Sequence, residues 1–286
     1  MTAPDETGRV RDAVGEILAR EQRPARVVVL DETPSTQDVA REMARDLEGA
    51  WGVAIALAQT AGRGRLGRSW TASPGLSLAC TIAIPAPALD PARLSLAAGV
   101  AAVRACEALL GTPNAVTRPP APTAPDAPPA ARLGLRWPND VVERGPRGRK
   151  LSGVLIEMAG GAALVGVGIN LRHTDADWPA ELRGRAVSLR QLASRDDGPL
   201  VDVSAAACAL VRAMSRVLRE PFEHALDDWR ACDVLTGTRR AFVRDGVRYE
   251  GMVRGVDPLS HLELDDDQRG LVRLDVLTTS MVHDVP

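Results

Sequence analysis

Between residues 25 and 57 the spacing of apolar side chains changes twice, and that change leaves few architectures open. ARVVVLDE (25–32) is a continuous apolar run of strand length. TPSTQDVAREMARDL follows with cap-type residues and then Val39, Met43 and Leu47 at helical spacing, before Trp51–Leu57 returns to a strand pattern. The same alternation recurs as a strand over Leu76–Ile84 and a helix near Pro91–Leu110, and Val10, Val14, Ile17 and Leu18 predict an opening helix over 8–20. LGLRWPND, KLSGVLIEMAG and AALVGVGINL read as consecutive strands, the last two a hairpin turning at Gly160–Gly161. Residues 203–219 and 221–231 have helical spacing. Strands alternating with helices in this way predict an α/β layer built on a mixed sheet.

Two boundaries interrupt the pattern. Segment 112–132 holds seven of the 21 prolines, a density no helix or central strand tolerates, so it is expected to be a surface insertion. After Asp233 the chain turns to short apolar runs punctuated by glycine, which predicts a small all-β barrel over 233–286 as a domain separate from 1–232.

Composition excludes several classes of function. A net charge of −2 gives no overall basic surface for nucleic acid. No apolar run approaches the roughly 20 residues that span a bilayer, and the first twenty residues lack the apolar core of a signal peptide. Cys80, Cys106, Cys208 and Cys232 are scattered, as are the four histidines, so neither disulfides nor a protein-bound metal is expected. These features fit a cytoplasmic protein with no membrane partner.

Chemistry concentrates in three places. Gln59-Thr60-Ala61-Gly62-Arg63-Gly64-Arg65-Leu66-Gly67-Arg68-Ser69-Trp70 alternates glycine and arginine directly after a strand. Glycine lets the backbone approach an anion closely, and arginine binds phosphate or carboxylate bidentately. This predicts a phosphate-binding loop over 60–69, although RG-rich segments also bind RNA. It is not a Walker A loop, since no G-K-[ST] follows. Arg136-Trp137-Pro138-Asn139-Asp140 places two polar residues just past a strand, by itself a common turn. Ten residues on lies Lys150, the single lysine among 35 lysines and arginines, followed by Leu151-Ser152-Gly153. A compact ammonium on a flexible stem differs from a planar guanidinium fork, so a lone lysine marks either chance survival on a surface or a place that needs the ammonium. Gly153 leaves room for a ligand beside it.

Taken together, Ser35-Thr36-Gln37, Gln59, GRGRLGRSW, R-W-P-N-D, K-L-S-G and G-V-G-I-N (166–170) resemble the biotin–protein ligase family over roughly residues 27–286. Gln37 stands where that family usually has Asn, and Arg136 where it usually has Lys. The resemblance implies an α/β (α+β) mixed-sheet catalytic domain of the biotin/lipoate ligase type with a small C-terminal SH3-like β-barrel. It implies biotin and ATP as substrates, with Mg²⁺ carried by ATP, and no metal held by the protein. It also implies two steps: biotin's carboxylate attacks the α-phosphate to give biotinyl-5′-AMP, and a lysine of a biotin carboxyl carrier domain of an acyl-CoA carboxylase then attacks that anhydride.

On this reading Lys150, Arg65 and Asp140 are the catalytic candidates, Asp140 orienting or deprotonating the incoming amine. Ser35, Thr36, Gln37, Gln59, Arg63, Gly64, Arg65, Lys150 and Gly153 are the biotin-binding candidates. Arg65, Arg68, Trp70, Asn139 and Asn170 are the adenylate-binding candidates, with Trp70 either closing over the adenylate or anchoring the loop. A lipoate–protein ligase or octanoyl transferase is the nearest rival. A biotin-dependent repressor would need an N-terminal helix-turn-helix of roughly 60 residues, against about 25 before the first strand, so no nucleic acid is expected. A monomer or weak homodimer is expected.

Overall fold

The computed structural model describes residues 5–85, 90–111, 132–145, 148–193 and 201–282. In chain order these form α1 (Glu6–Arg20), β1 (Ala25–Thr33), α2 (Thr36–Met43), β2 (Trp51–Arg63), β3 (Ser69–Ala72), β4 (Ser77–Pro85) and α3 (Pro91–Leu109). Next come β5 (Leu133–Arg136), β6 (Asp140–Glu143), β7 (Lys150–Ala159), β8 (Ala162–Asn170), α4 (Leu189–Leu192), α5 (Val203–Val217) and α6 (Phe222–Cys232). The chain ends in β9 (Arg239–Arg244), β10 (Val247–Asp257), β11 (His261–Asp266), β12 (Gly270–Asp275) and β13 (Thr279–Met281). The proline-rich stretch expected as an insertion lies outside the described residues, apart from Arg132.

The larger sheet has the order β1-β2-β4-β8-β7-β6-β5, with β3 paired to β2 off this path. Only β1 and β2 run parallel, and α2 is the crossover that a parallel pair requires. The mixed sheet predicted from the alternating pattern is therefore present. The β7–β8 hairpin turns at Gly160 and Gly161, both with positive φ, as a tight two-residue hairpin demands.

Alternation along the strands sorts side chains to two faces. On one face Val53, Ile55, Leu78, Ile82, Val165 and Ile169 pack under α1, α3 and α5 in the main core. On the other, α2 buries Ala40 and Met43 against Ala54, Ala83, Ala162 and Leu164. α2 covers only part of that second face. Further along the same strands the residues are small or polar, namely Ala79 and Thr81 on β4 and Gly166, Gly168 and Asn170 on β8, and there the sheet is left open as a cavity.

The C-terminal strands form their own antiparallel sheet, in the order β12-β11-β10-β9-β13, with Phe242, Val253, Leu262, Leu264 and Leu274 buried. A register shift in β10 between Val253 and Gly255 bends the strand, as a bulge does.

The main departure from the sequence reading is at 60–69. What reads as a loop is mostly a hairpin arm: β2 runs on to Arg63 and β3 folds back on it, pairing Gly62 with Trp70 and Arg63 with Ser69. A Cβ at Gly62 would lie 2.3 Å from the Trp70 carbonyl oxygen, so only glycine permits the pairing. The tip is a single 3-10 turn, Arg65–Gly67, with Leu66 and Gly67 both at positive φ. The glycine read as allowing close approach to an anion serves, at Gly62, close approach of a neighbouring strand.

Candidate active site

The cavity has a volume of about 580 Å³, within the ordinary range of small-molecule sites. Its inner end is built where β1 passes into α2. Ser35 is extended and caps α2, its hydroxyl accepting from the Gln37 amide at 3.3 Å. The Thr36 amide and hydroxyl both donate to Gln59 Oε1, at 2.7 and 3.0 Å, and Thr36 Oγ1 lies 2.8 Å from Thr81 Oγ1. With its oxygen held, the Gln59 amide is oriented and its NH₂ is left as a donor. Gln37 reaches over Gly166 to donate to the Leu155 carbonyl, and its Oε1 is buried without a partner. A Cβ at Gly166 would sit 2.5 Å from Gln37 Nε2, so this glycine is what admits the longer amide. Cys80 also lines the cavity, and burial pushes its thiol up to about 12, so it stays protonated.

At the middle of the cavity sits Lys150, aimed there by a bulge. Val141 faces Ser152 across the β6–β7 pair, but Val142 faces Lys150, so Leu151 is an extra residue. Strict alternation would send Lys150 to the helix-covered face with Val154. The bulge instead turns Leu151 into the main core and Lys150 into the cavity. Three bonds pin it: Lys150 N donates to Arg185 O at 2.7 Å, Lys150 O accepts from Val187 N at 2.9 Å, and Asn170 Nδ2 reaches Lys150 O at 3.3 Å.

Lys150 Nζ lies 2.6 Å from Asp140 Oδ1, while Arg136 Nη2 donates to Asp140 Oδ2 at 3.0 Å. Burial by itself pushes the Asp140 carboxyl up. The adjacent Lys150 and Arg136 charges outweigh it and hold the carboxyl down at about 2. Asn139 ties the turn before Asp140 to β7, its backbone oxygen accepting from Val154 N and its side-chain amide donating to Val154 O. The Trp70 indole lies over Gly168, where a Cβ would come within 2.3 Å of the ring, and its face is 5.7 Å from Lys150 Nζ. Its Nε1 is buried and unpartnered.

The outer end carries the arm. Arg63 forms a two-pronged pair with Asp38 at 2.8 and 2.9 Å and approaches Glu157, which anchors the arm to α2. Arg65 donates to the Val276 carbonyl in the turn between β12 and β13, and burial lowers its pKa against the pull of Asp140. Arg68 is exposed at the rim. Thr279, Ser280 and Met281 of β13 close one side of the cavity, and a wall from 173 to 186 closes another, where His173 stacks on Trp178 at 4.0 Å.

Similarities to known proteins bear on this geometry. Residues 29–173 match the biotin/lipoate A/B protein ligase family. The biotin–[acetyl-CoA-carboxylase] ligase of Mycobacterium tuberculosis is 32% identical over 241 residues, which span 79% of this chain and 77% of that protein. This chain belongs to the biotin/lipoate A/B protein ligase family. The corresponding ligase of Paracoccus denitrificans is 35% identical over 150 residues, covering 50% of this chain and 53% of that one. The fold agrees with a biotin protein ligase from Aquifex aeolicus in complex with biotin and ATP, at a TM-score of 0.69 and 21% identity over 90% of this chain and 99% of that one.

As a biotin/lipoate ligase fold, the chain brings every residue singled out in its sequence to this one cavity: Ser35, Thr36, Gln37, Gln59, Arg63, Gly64, Arg65, Arg68, Trp70, Asn139, Asp140, Lys150, Gly153 and Asn170. Several reach it with part of their capacity already engaged. The Arg63 guanidinium is paired with carboxylates, and the Asn170 amide donates to the Lys150 and Val187 carbonyls. Sequence reasoning missed Thr81, the 173–186 wall and the β13 contribution. A lone threonine in an apolar strand, or a turn far along the chain, carries no local signal of joining this cavity.

Proposed function

We propose that the chain is an ATP-dependent biotin–protein ligase that forms biotinyl-5′-AMP and passes the biotinyl group to a lysine amine of a biotin carboxyl carrier domain. The observation that carries the reading is the cavity's polarity. It has oriented neutral hydrogen-bonding groups at the inner end, one ammonium in the middle and arginines at the rim. Biotin has the matching sequence of parts: a neutral ureido ring, an apolar stem and a carboxylate that meets ATP.

Thr36, Gln59 and Gln37 are suited to the ureido group, with Gln59 NH₂ as donor to its carbonyl and Gln37 Oε1 as acceptor from an N–H. An ionised carboxylate needs no general base to attack the α-phosphorus, so the first step calls for charge neutralisation and alignment. Lys150 stands where the carboxylate and α-phosphate would meet, and Arg65 and Arg68 flank the nucleotide, whose Mg²⁺ enters as part of that substrate. The attacking carboxylate oxygen bonds to phosphorus as pyrophosphate leaves. In the second step the neutral amine bonds to the acyl carbon, the anhydride C–O bond breaks with its electron pair leaving on the AMP phosphate, and the proton lost from the nitrogen passes to solvent.

A carboxyl held at about 2 is a poor base for an ammonium, which supports an orienting role for Asp140 over proton abstraction. A lipoyl or octanoyl group would leave the Gln59 NH₂ and Gln37 Oε1 without partners, a cost that disfavours that substrate. ATP–pyrophosphate exchange with biotin, lipoate and octanoate supplied in turn tests the assignment. Exchange is expected with biotin, and exchange with lipoate alone would overturn it.

No helix among the described residues is long and apolar enough to cross a membrane. The one helix described before β1 buries Val10, Val14, Ile17 and Leu18 against the body of the protein, which favours a structural part for it over DNA reading.

A further inference from the structure

We propose that Arg136 is a positioning residue that aims the Lys150 ammonium by holding the far oxygen of Asp140, and that the three side chains act as one unit in adenylation. The proposal rests on the biotin ligase reading of the cavity.

Register places the three groups in a row. Arg136 pairs with Asp140 across β5 and β6, and Asp140 pairs with Gly153 across β6 and β7, beside the bulge that carries Lys150. Both oxygens of the Asp140 carboxylate are used, Oδ2 by Arg136 at 3.0 Å and Oδ1 by Lys150 at 2.6 Å. A carboxylate gripped on one oxygen can rotate about its Cβ–Cγ bond, whereas one gripped on both cannot. Arg136 is itself fixed, being 9% exposed, and its other arm donates from Nη1 to the Gly148 carbonyl at 3.0 Å. Gly148 lies two residues before Lys150, so one guanidinium restrains both the partner of the ammonium and the backbone leading to it. Spanning two acceptors in this way takes a planar fork with several donors, which a lysine lacks. With Nη1 on the Gly148 carbonyl and Nη2 on Asp140, the role assigned to Arg136 is exerted through Asp140.

The test is a double-variant cycle on biotin-dependent ATP–pyrophosphate exchange, with Arg136→Met, Asp140→Asn and the two combined. Groups that act as a unit lose their effect once, so the double variant is expected to be no slower than the slower single variant. Each single variant is expected to lower kcat by about tenfold to a hundredfold, the cost of a small misplacement, with KM for biotin changed far less. Arg136→Lys should recover part of the loss, since it restores a charge for Asp140 but cannot also hold Gly148. Losses that multiply in the double variant, or Arg136→Met at the wild-type rate, would overturn the proposal.

Because the chain has one lysine, ¹⁵N-lysine labelling gives a single Nζ resonance and reads the coupling without turnover. That resonance is expected to move in Arg136→Gln and Asp140→Asn alike, neither of which adds a lysine, and a resonance unmoved in Arg136→Gln overturns the coupling even if Arg136→Met does not fold. Absence of biotin-dependent exchange in the wild type would instead refute the ligase reading and leave the resonance test standing.

Discussion

Replacing Asp140 by asparagine removes one charge and almost no volume, so it isolates what the carboxylate contributes between Lys150 and Arg136. Its side chain is only 17% exposed, and its carboxyl is held at about 2 against an ordinary 3.8. One pKa unit corresponds to about 1.4 kcal/mol, so the ionised form contributes ~2 kcal/mol to folding at neutral pH. The folded-state value is depressed, so this contribution is complete above the unfolded carboxylate's pKa and fades as pH falls from about 4 towards about 2. Calorimetric melting of wild type and Asp140→Asn at pH 7.5, 5.5 and 3 is the assay. For a chain of this size ~2 kcal/mol corresponds to a melting difference of about 4 °C. That difference should be equal at pH 7.5 and 5.5 and roughly halved at pH 3, where the wild-type unfolded carboxyl is already mostly protonated. A difference that persists undiminished at pH 3, or one below about 1 °C at neutral pH, refutes the reasoning.

Lys150→Arg keeps the charge but replaces a point with a fork in a space bounded by Gly153 and Trp70, where a Cβ on Gly153 would already lie 3.0 Å from Nζ. Pyrophosphate exchange is expected to drop about a hundredfold or more with the melting temperature nearly unchanged, and a wild-type rate in the folded variant removes the role of Lys150. Thr36→Val leaves Gln59 Oε1 with one donor and Thr81 Oγ1 without its partner. Urea titration should show a loss of about 1 kcal/mol, and steady-state kinetics a raised KM for biotin with kcat less affected; an unchanged KM counts against the ureido assignment.

Much of this protein is written locally. The switch from unbroken apolar runs to helical spacing specifies β1, α2 and β2, because a strand and a helix bury different periodicities. Gly160–Gly161 specifies the β7–β8 hairpin, because two consecutive positive-φ residues suit few other places. The glycine–arginine segment announced a site but not its form, since Gly62 is needed for an approach to Trp70 that exists only once β3 has folded back.

The sequence by itself determined which residue types would meet a charged ligand, and it singled out Lys150 by composition alone. Tertiary structure decided where that lysine points. Counted from Val154 by twos, Lys150 belongs under the helices, and it reaches the cavity because pairing with β6 and the bonds to Arg185, Val187 and Asn170 force Leu151 out of register. Likewise only the packed molecule joins Arg136, Asp140 and Lys150, and only it brings Val276–Met281 to the arm. Side-chain direction in a strand follows from a count of two, and a single unpaired residue reverses it, so the direction is a property of strand pairing that no local pattern contains.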